Sequence, residues 1–241
     1  MDFSLIWQAL PDLLRACLTT LELTFISLII GALIAVPLGL AAARQHGLPA
    51  RTAEAYMFIF RGTPLLVQIF LIYAGLAQFD WIRGSFLWPW LRQAFICALI
   101  AFSLNTAAYT ANILKGSLLA VPRGEREAAR ACGLTRFQQY RYILLPQALR
   151  LSLPAYGNEV LIMLKSTSLA SAITVMELTG TAKNIYAETY APYEAFLTAA
   201  ALYWLMSFIL SRLLKIGENA FSIKNQNKMS FAKRMLKALS F

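Results

Sequence analysis

The sequence predicts an all-α membrane protein of about five transmembrane helices, and three observations carry that expectation. Of 241 residues, 59% are hydrophobic and 14% charged, an apolar excess that a soluble domain does not need. Five separate stretches reach the roughly 20 mainly apolar residues that a helix needs to cross a bilayer. Lys and Arg concentrate in alternate connections between those stretches, the asymmetry that orients multi-pass proteins. The length leaves room for several spans but not for a second large soluble domain.

The expected spans run from about Leu14 to Ala43, Ala53 to Ala77, Leu91 to Leu114, Leu149 to Val175 and Phe196 to Ile216. Arg44 and Arg51 lie between the first two. Lys115, Arg123, Arg126, Arg130, Arg136 and Arg141 lie between the third and fourth, and a basic segment from Arg212 to Lys237 begins in the last turns of the fifth and continues past it. The connection at 78–92 holds only Arg83 and Arg92, and that at 177–193 only Lys183. The positive-inside rule then predicts a multi-pass protein with its N-terminus outside and its C-terminus in the cytoplasm. The formal net charge of +10 fits this cytoplasmic excess and does not call for nucleic acid as a partner.

Residues 1–218 are expected to form the membrane domain and residues 219–241 a basic cytoplasmic tail. In that tail Lys233, Arg234 and Lys237 alternate with Phe231, Met235 and Leu236. The pattern suits either an amphipathic helix on anionic membrane lipid or a disordered basic tail. Asp2 and the lack of an N-terminal positive cluster do not fit a signal peptide. Cys17, Cys97 and Cys132 are far apart and have no metal-ligand spacing, so neither a zinc site nor a disulfide framework is expected. His46 sits in a short polar break and reads as a solvated loop residue.

The segment between the third and fourth spans, about residues 115–148, is the largest cytoplasmic connection. Pro122 and Gly124 break the chain, and Glu125 to Cys132 is rich in helix-forming Glu, Arg and Ala. Glu125 and Glu127 are expected in the first turn, where they complement the helix dipole, and Gly133 can end the helix. A second amphipathic helix with Phe137, Tyr140 and Leu144 near one face is expected to follow, until Pro146 interrupts it. A short helix presented between two spans suits docking into a groove on a soluble partner; a surface amphipathic loop without a partner is the other reading.

The spacing of Glu127-Ala128-Ala129, then Gly133, then Ile143-Leu144-Leu145-Pro146 resembles the EAA loop of ABC importer permeases. That pattern is EAA, three residues, G, nine residues, then I-x-L-P, and every one of those positions matches. The stretch from Phe60 through Arg61-Gly62-Thr63-Pro64 to Gln68 resembles the corresponding segment of polar amino acid permeases. So do Asn105-Thr106-Ala107-Ala108-Tyr109-Thr110, Asn158-Glu159-Val160 and Lys165-Ser166-Thr167-Ser168-Leu169. The 79–92 insert and Tyr190-Ala191-Pro192-Tyr193 resemble the subgroup for histidine, lysine, arginine, ornithine and opines such as octopine and nopaline.

The resemblance implies a type I importer permease fold without catalytic residues. Glu127, Ala128, Ala129 and Gly133 would form a coupling helix that docks in a cleft of a cytoplasmic ABC ATPase dimer. It also implies a periplasmic substrate-binding protein and pairing with a second permease subunit, a similar but distinct chain in preference to a second copy. No GxxxxGK[ST] occurs in the chain, so ATP would be bound by the partner ATPase and this chain would hold no cofactor.

Polar groups inside spans mark candidate path residues. Glu54, Arg61 and Gln68 recur every seven residues and are expected near one helix face; Arg61 would pair with Glu54 or with carbonyls freed by Pro64. Asn105, Tyr109 and Asn112 form a stripe suited to either interhelical hydrogen bonds or substrate contact. In the fourth span Asn158 and Lys165 share a face, whereas Glu159 lies roughly 120° from Lys165, which disfavours an ion pair between those two. Glu159 suits a cationic substrate group, with Asn158, Asn105 and Lys165 as further path residues; a structural ion pair with a second subunit is the alternative.

A self-sufficient secondary transporter or channel for polar solutes is the competing function. No internal repeat supports it, and no HExxH or GxSxG supports an intramembrane enzyme.

Overall fold

Small residues organise the membrane core. The computed structural model describes residues 3–221; residues 222–241 of the expected basic tail lie outside the described residues. Helix α1 (Phe3–Ala42) has 40 residues, about 60 Å at 1.5 Å per residue. That is about twice the hydrocarbon thickness of a bilayer. It begins well before the expected span start at Leu14. The additional turns are helical because Ala9 and Leu13 are buried against Leu178, Ala182, Ala195 and Ala199.

Helix α2 (Leu48–Gly62) is followed by α3 (Leu65–Phe70), which continues through a π turn (Leu71–Gly75) and a 3-10 turn (Leu76–Gln78). Two short helices, α4 (Asp80–Arg83) and α5 (Trp88–Leu91), fill the next connection. Helix α6 (Ala94–Ala120) is the central element. It packs along α1 over most of its length, because that seam is built from small residues. A Cβ on Gly31 would stand 2.3 Å from the Thr106 Cγ2, and one on Gly39 would stand 3.0 Å from the Ala111 carbonyl oxygen. Ala35, Ala42, Ala108 and Ala111 are buried in the same region. Close backbone approach of this kind is how helices associate in lipid, where the hydrophobic effect offers no drive.

Two of the five expected spans are broken. The second bends by 101° between α2 and α3. Thr63, the residue before Pro64, is extended (φ −111°, ψ 141°), as a pre-proline residue prefers. The fourth begins with α8 (Arg136–Gln139), runs through a π turn (Tyr140–Leu144) into α9 (Leu145–Ser166), and ends in a 3-10 segment (Thr167–Ile173). Here the sequence expectation is corrected. Pro146 does not interrupt the helix, because the widened turn, in which the Leu145 N–H reaches the Tyr140 carbonyl, accommodates its missing donor. Among the described residues, three helices are long and apolar enough to cross a membrane, up to five spans if each bent pair counts as one.

Helix α10 (Leu178–Thr189) is separated from the fourth span by a 47° bend, and α11 (Pro192–Phe221) closes the described chain. Glu177 is wholly buried at the start of α10. It accepts hydrogen bonds from the Thr179 and Gly180 N–H groups at 2.9 and 2.8 Å and from the Tyr203 hydroxyl at 2.7 Å. This carboxylate thus caps α10 and ties it to α11. Gly31→Val is expected to cost about 1–3 kcal/mol through overpacking of the α1–α6 seam. The thermal midpoint of the detergent-purified protein should fall; an unchanged midpoint would mean that the seam is not tightly packed.

Candidate functional site

The break between α2 and α3 leaves backbone carbonyls without helical partners, and two buried amides take them up. Gln68 donates from Nε2 to the Phe60 carbonyl (2.8 Å), the Thr63 carbonyl (3.1 Å) and the Thr63 hydroxyl (2.7 Å). Asn105 on α6 donates to the same Phe60 carbonyl at 3.2 Å and to Gln68 Oε1 at 3.1 Å. The Tyr56 hydroxyl donates to the Leu104 carbonyl at 2.7 Å, which holds α2 against α6 from the other side of the bend.

This arrangement removes Gln68 from the expected common face with Glu54 and Arg61. The i, i+7 relation holds for Glu54 and Arg61 within α2 and fails for Gln68, which lies beyond the 101° bend. Glu54 pairs with Lys115 at 2.8 Å, and the freed carbonyls are taken by amides. Arg61 meets neither expected partner; its guanidinium lies over the Tyr109 ring, 5.4 Å from the centroid.

Beneath the break lies a cavity of about 410 Å³, lined by Arg61 to Leu65 from the bend, Asn105 and Tyr109 from α6, and Glu159 and Ser166 from α9. Glu159 is 5% exposed, and its Oε1 accepts from the Thr106 hydroxyl at 2.8 Å. Of the four expected path residues, Asn105 and Glu159 meet at this cavity. Asn158 and Lys165 are exposed and lie outside its lining. Asn112 also lies outside it, so only the first two members of the expected α6 stripe reach the cavity. No local pattern in the sequence pairs Arg61 with Glu159; they come to one cavity through the packing of α2, α6 and α9.

The connection between α6 and α9 is built as expected, with adjustments. Helix α7 (Arg123–Ala131) has Glu125 in its first turn; Glu127 sits one turn later than anticipated. Gly133 has φ +74°, the Leu134 N–H reaches the Ala129 carbonyl at 3.1 Å and the Gly133 N–H reaches the Arg130 carbonyl at 2.9 Å. This is a left-handed helix stop that glycine accommodates. Glu127 and Ala128 are exposed, whereas Ala129 is 3% exposed and faces the chain itself. Thr135 and Gln138 form a capping box at the start of α8. The Arg126 guanidinium donates to the Leu118 carbonyl at the end of α6, and Gln147 at the start of α9 donates to Glu125. Helix α7 is thereby tied to both helices that carry the cavity's polar residues.

Residues 35–222 match the family of binding-protein-dependent transport system inner membrane components. The chain belongs to that family. It is the membrane permease subunit of an ABC import system in the inner membrane and is not an enzyme; a partner ATPase and a separate binding protein go with such subunits. This permease is 48% identical over 219 residues to the nopaline transport system permease protein NocM of Agrobacterium fabrum, covering 90% of this chain and 91% of that one. It is 49% identical to the octopine transport system permease protein OccM of Rhizobium meliloti, over 88% of this chain and 87% of that one. It is 42% identical to the histidine/lysine/arginine/ornithine transport system permease protein HisM of Escherichia coli K12, over 83% and 84%.

Among solved structures, the permease superposes on a chain of an amino acid ABC transporter crystallised with histidines. The TM-score is 0.81 at 35% identity, over 91% of this chain and 99% of that one. A chain of the inward-facing MetNI methionine ABC transporter shares the fold, with a TM-score of 0.75 at 22% identity over 92% and 100%.

Replacing Gln68 by Leu would leave the Thr63 carbonyl without its amide in a low-dielectric site. The expected cost is about 1–3 kcal/mol, read as a lower thermal midpoint together with lost uptake. Wild-type values of both would mean that the bend does not depend on the amide pair.

Proposed function

We propose that this permease carries basic amino acids or opines, with its N-terminus outside and its C-terminus in the cytoplasm, and that the cavity beneath the α2–α3 bend is the substrate site. The observation that supports the reading most is that Arg61 and Glu159 line one cavity. A guanidinium suits a substrate carboxylate, which it can hold through paired N–H donors. A carboxylate suits an α-ammonium or a cationic side chain, and charge interactions strengthen where water is excluded. Arginine, lysine, ornithine and opines all carry groups of both signs. Asn105, already committed to the Phe60 carbonyl and Gln68, acts as a neutral wall.

The coupling loop would meet the ATPase through Glu127 and Ala128 and through the turn at Gly133, while Ala129 seats α7 on its own chain. Movement of α7 would then pass to α6 through Arg126 and to α9 through Glu125 and Gln147. One five-span chain is small for enclosing a path, so a second permease subunit completes it, a similar but distinct chain in preference to a second copy.

The deciding experiment is arginine uptake into proteoliposomes holding this chain, its partner permease, the ATPase and the binding protein. Uptake should require ATP and the binding protein. Glu159→Gln should weaken transport of a cationic substrate roughly ten- to a hundred-fold, the worth of a hydrogen bond to a charged group; unchanged affinity and rate would remove Glu159 from the site. Gly133→Asp, which forces a side chain into a left-handed position, should leave ATP hydrolysis running while uptake is lost, and normal uptake would sink the coupling role. Uptake by this chain alone on an ion gradient would replace the importer reading with a secondary transporter.

A further inference from the structure

A second cavity, of about 550 Å³, lies away from the bend, between α1, α6 and α9. Its walls are apolar: Val36 from α1, Ile113 from α6, and Leu149 and Leu153 from α9 are among them. Along α9 it extends from Pro146 to Tyr156, roughly 15 Å at 1.5 Å per residue, which is about the depth of one leaflet. Val36 and Leu149 are 42% and 50% exposed, so the cavity opens sideways from the helix bundle. A mainly apolar space of this size in a membrane span is open to the solvent of that region, the lipid acyl chains.

One charged group breaks the apolar lining. Arg150 borders the cavity near its Pro146 end and pairs with no carboxylate among the described residues. The same end adjoins the arginine-rich connection that contains Arg123, Arg126, Arg130, Arg136 and Arg141. An apolar slot one leaflet deep, bordered by an unpaired guanidinium one turn from its Pro146 end, matches a phospholipid. The chain fills the slot and the phosphate meets Arg150, whose long stem can reach the interface.

We infer that this cavity is a binding site for one anionic phospholipid, held by an acyl chain between α1 and α9 and by its phosphate on Arg150. Its assignment to the inner leaflet rests on the orientation proposed above. The retention of lipid does not, so an inverted topology would change the side of the headgroup and leave the measurement below unaltered.

The test uses the full complex, with partner permease and ATPase, reconstituted in vesicles of equal phosphatidylglycerol and phosphatidylethanolamine and then re-extracted in detergent. Lipid retained per complex is counted by mass spectrometry. Phosphatidylglycerol should be enriched. Arg150→Gln should lower its retention roughly five-fold, the worth of one basic residue facing an anionic lipid, with phosphatidylethanolamine unchanged. Val36→Trp, which fills the slot, should remove the bound lipid of either kind. A photo-crosslinking residue in place of Leu149 should capture phospholipid. Equal retention of the two lipids by the wild type, unchanged phosphatidylglycerol in Arg150→Gln, or capture of the partner permease at position 149 would each overturn the site. Because the crosslinking and Arg150→Gln arms alter exposed positions, they decide the matter even if Val36→Trp fails to assemble.

Discussion

A peptide group that loses its helical partner inside a bilayer has no water to turn to, and the rest of this permease is arranged around that constraint. Pro64 and the extended Thr63 stop α2 and turn the chain by 101°. The freed Phe60 and Thr63 carbonyls are then supplied by Gln68 and Asn105. Gln68 comes from just beyond the bend and Asn105 from α6. The two amides also bond each other at 3.1 Å, so each fixes the rotamer of the other. Without them the bend would be an unsatisfied segment; with them it is a rigid wall from which Arg61 projects toward the cavity shared with Glu159.

Helix α6 can serve as the fixed side of that wall because of the way it meets α1. Gly31 and Gly39 let the two backbones approach until side chains of one touch main chain of the other. Thr106 sits where both demands meet: its methyl packs against Gly31, and its hydroxyl donates to Glu159. The β-branched side chain has few rotamers, so the seam and the orientation of the carboxylate are set together. Packing at the α1–α6 seam thus orients a carboxylate that lines the cavity.

The five apolar stretches, the helix stop at Gly133 and the pattern of the coupling loop were legible in the sequence because each depends on local composition. What was not legible depended on bends. Glu54, Arg61 and Gln68 have the spacing of a common face, and Glu54 and Arg61 do share α2, yet Gln68 leaves that face because Pro64 redirects the axis, and no periodicity reports an angle. Pro146 carried the opposite ambiguity: the same residue type that breaks the second span is absorbed by a π turn in the fourth. Glu177 falls in a connection, where a carboxylate is expected to be solvated; two of its hydrogen bonds are the local cap of α10, while its burial and the bond from Tyr203 arise only when α10 packs on α1 and α11. Asn158 and Lys165 had the right chemistry but the wrong face of α9, a distinction that turns on which side of the helix α6 covers.

Under the proposed coupling role, the ties of α7 give a route from that helix to the cavity. An amphipathic segment that only floated on the bilayer would transmit little, since its links to the spans would be flexible turns. Here Arg126 holds the end of α6, Glu125 and Gln147 hold the start of α9, and buried Ala129 seats the helix on its own chain. Both α6 and α9 run without a gap from those ties to the cavity, bearing Asn105 and Tyr109 on one and Glu159 on the other. The Arg126 tie reaches α6 directly, and the Gln147 tie reaches Glu159 along a helix that contains Pro154. Arg61 and Glu159 are each held to α6, the first over the Tyr109 ring and the second by the Thr106 hydroxyl. On the proposed coupling role, a shift of α6 therefore reaches both charges that line the cavity.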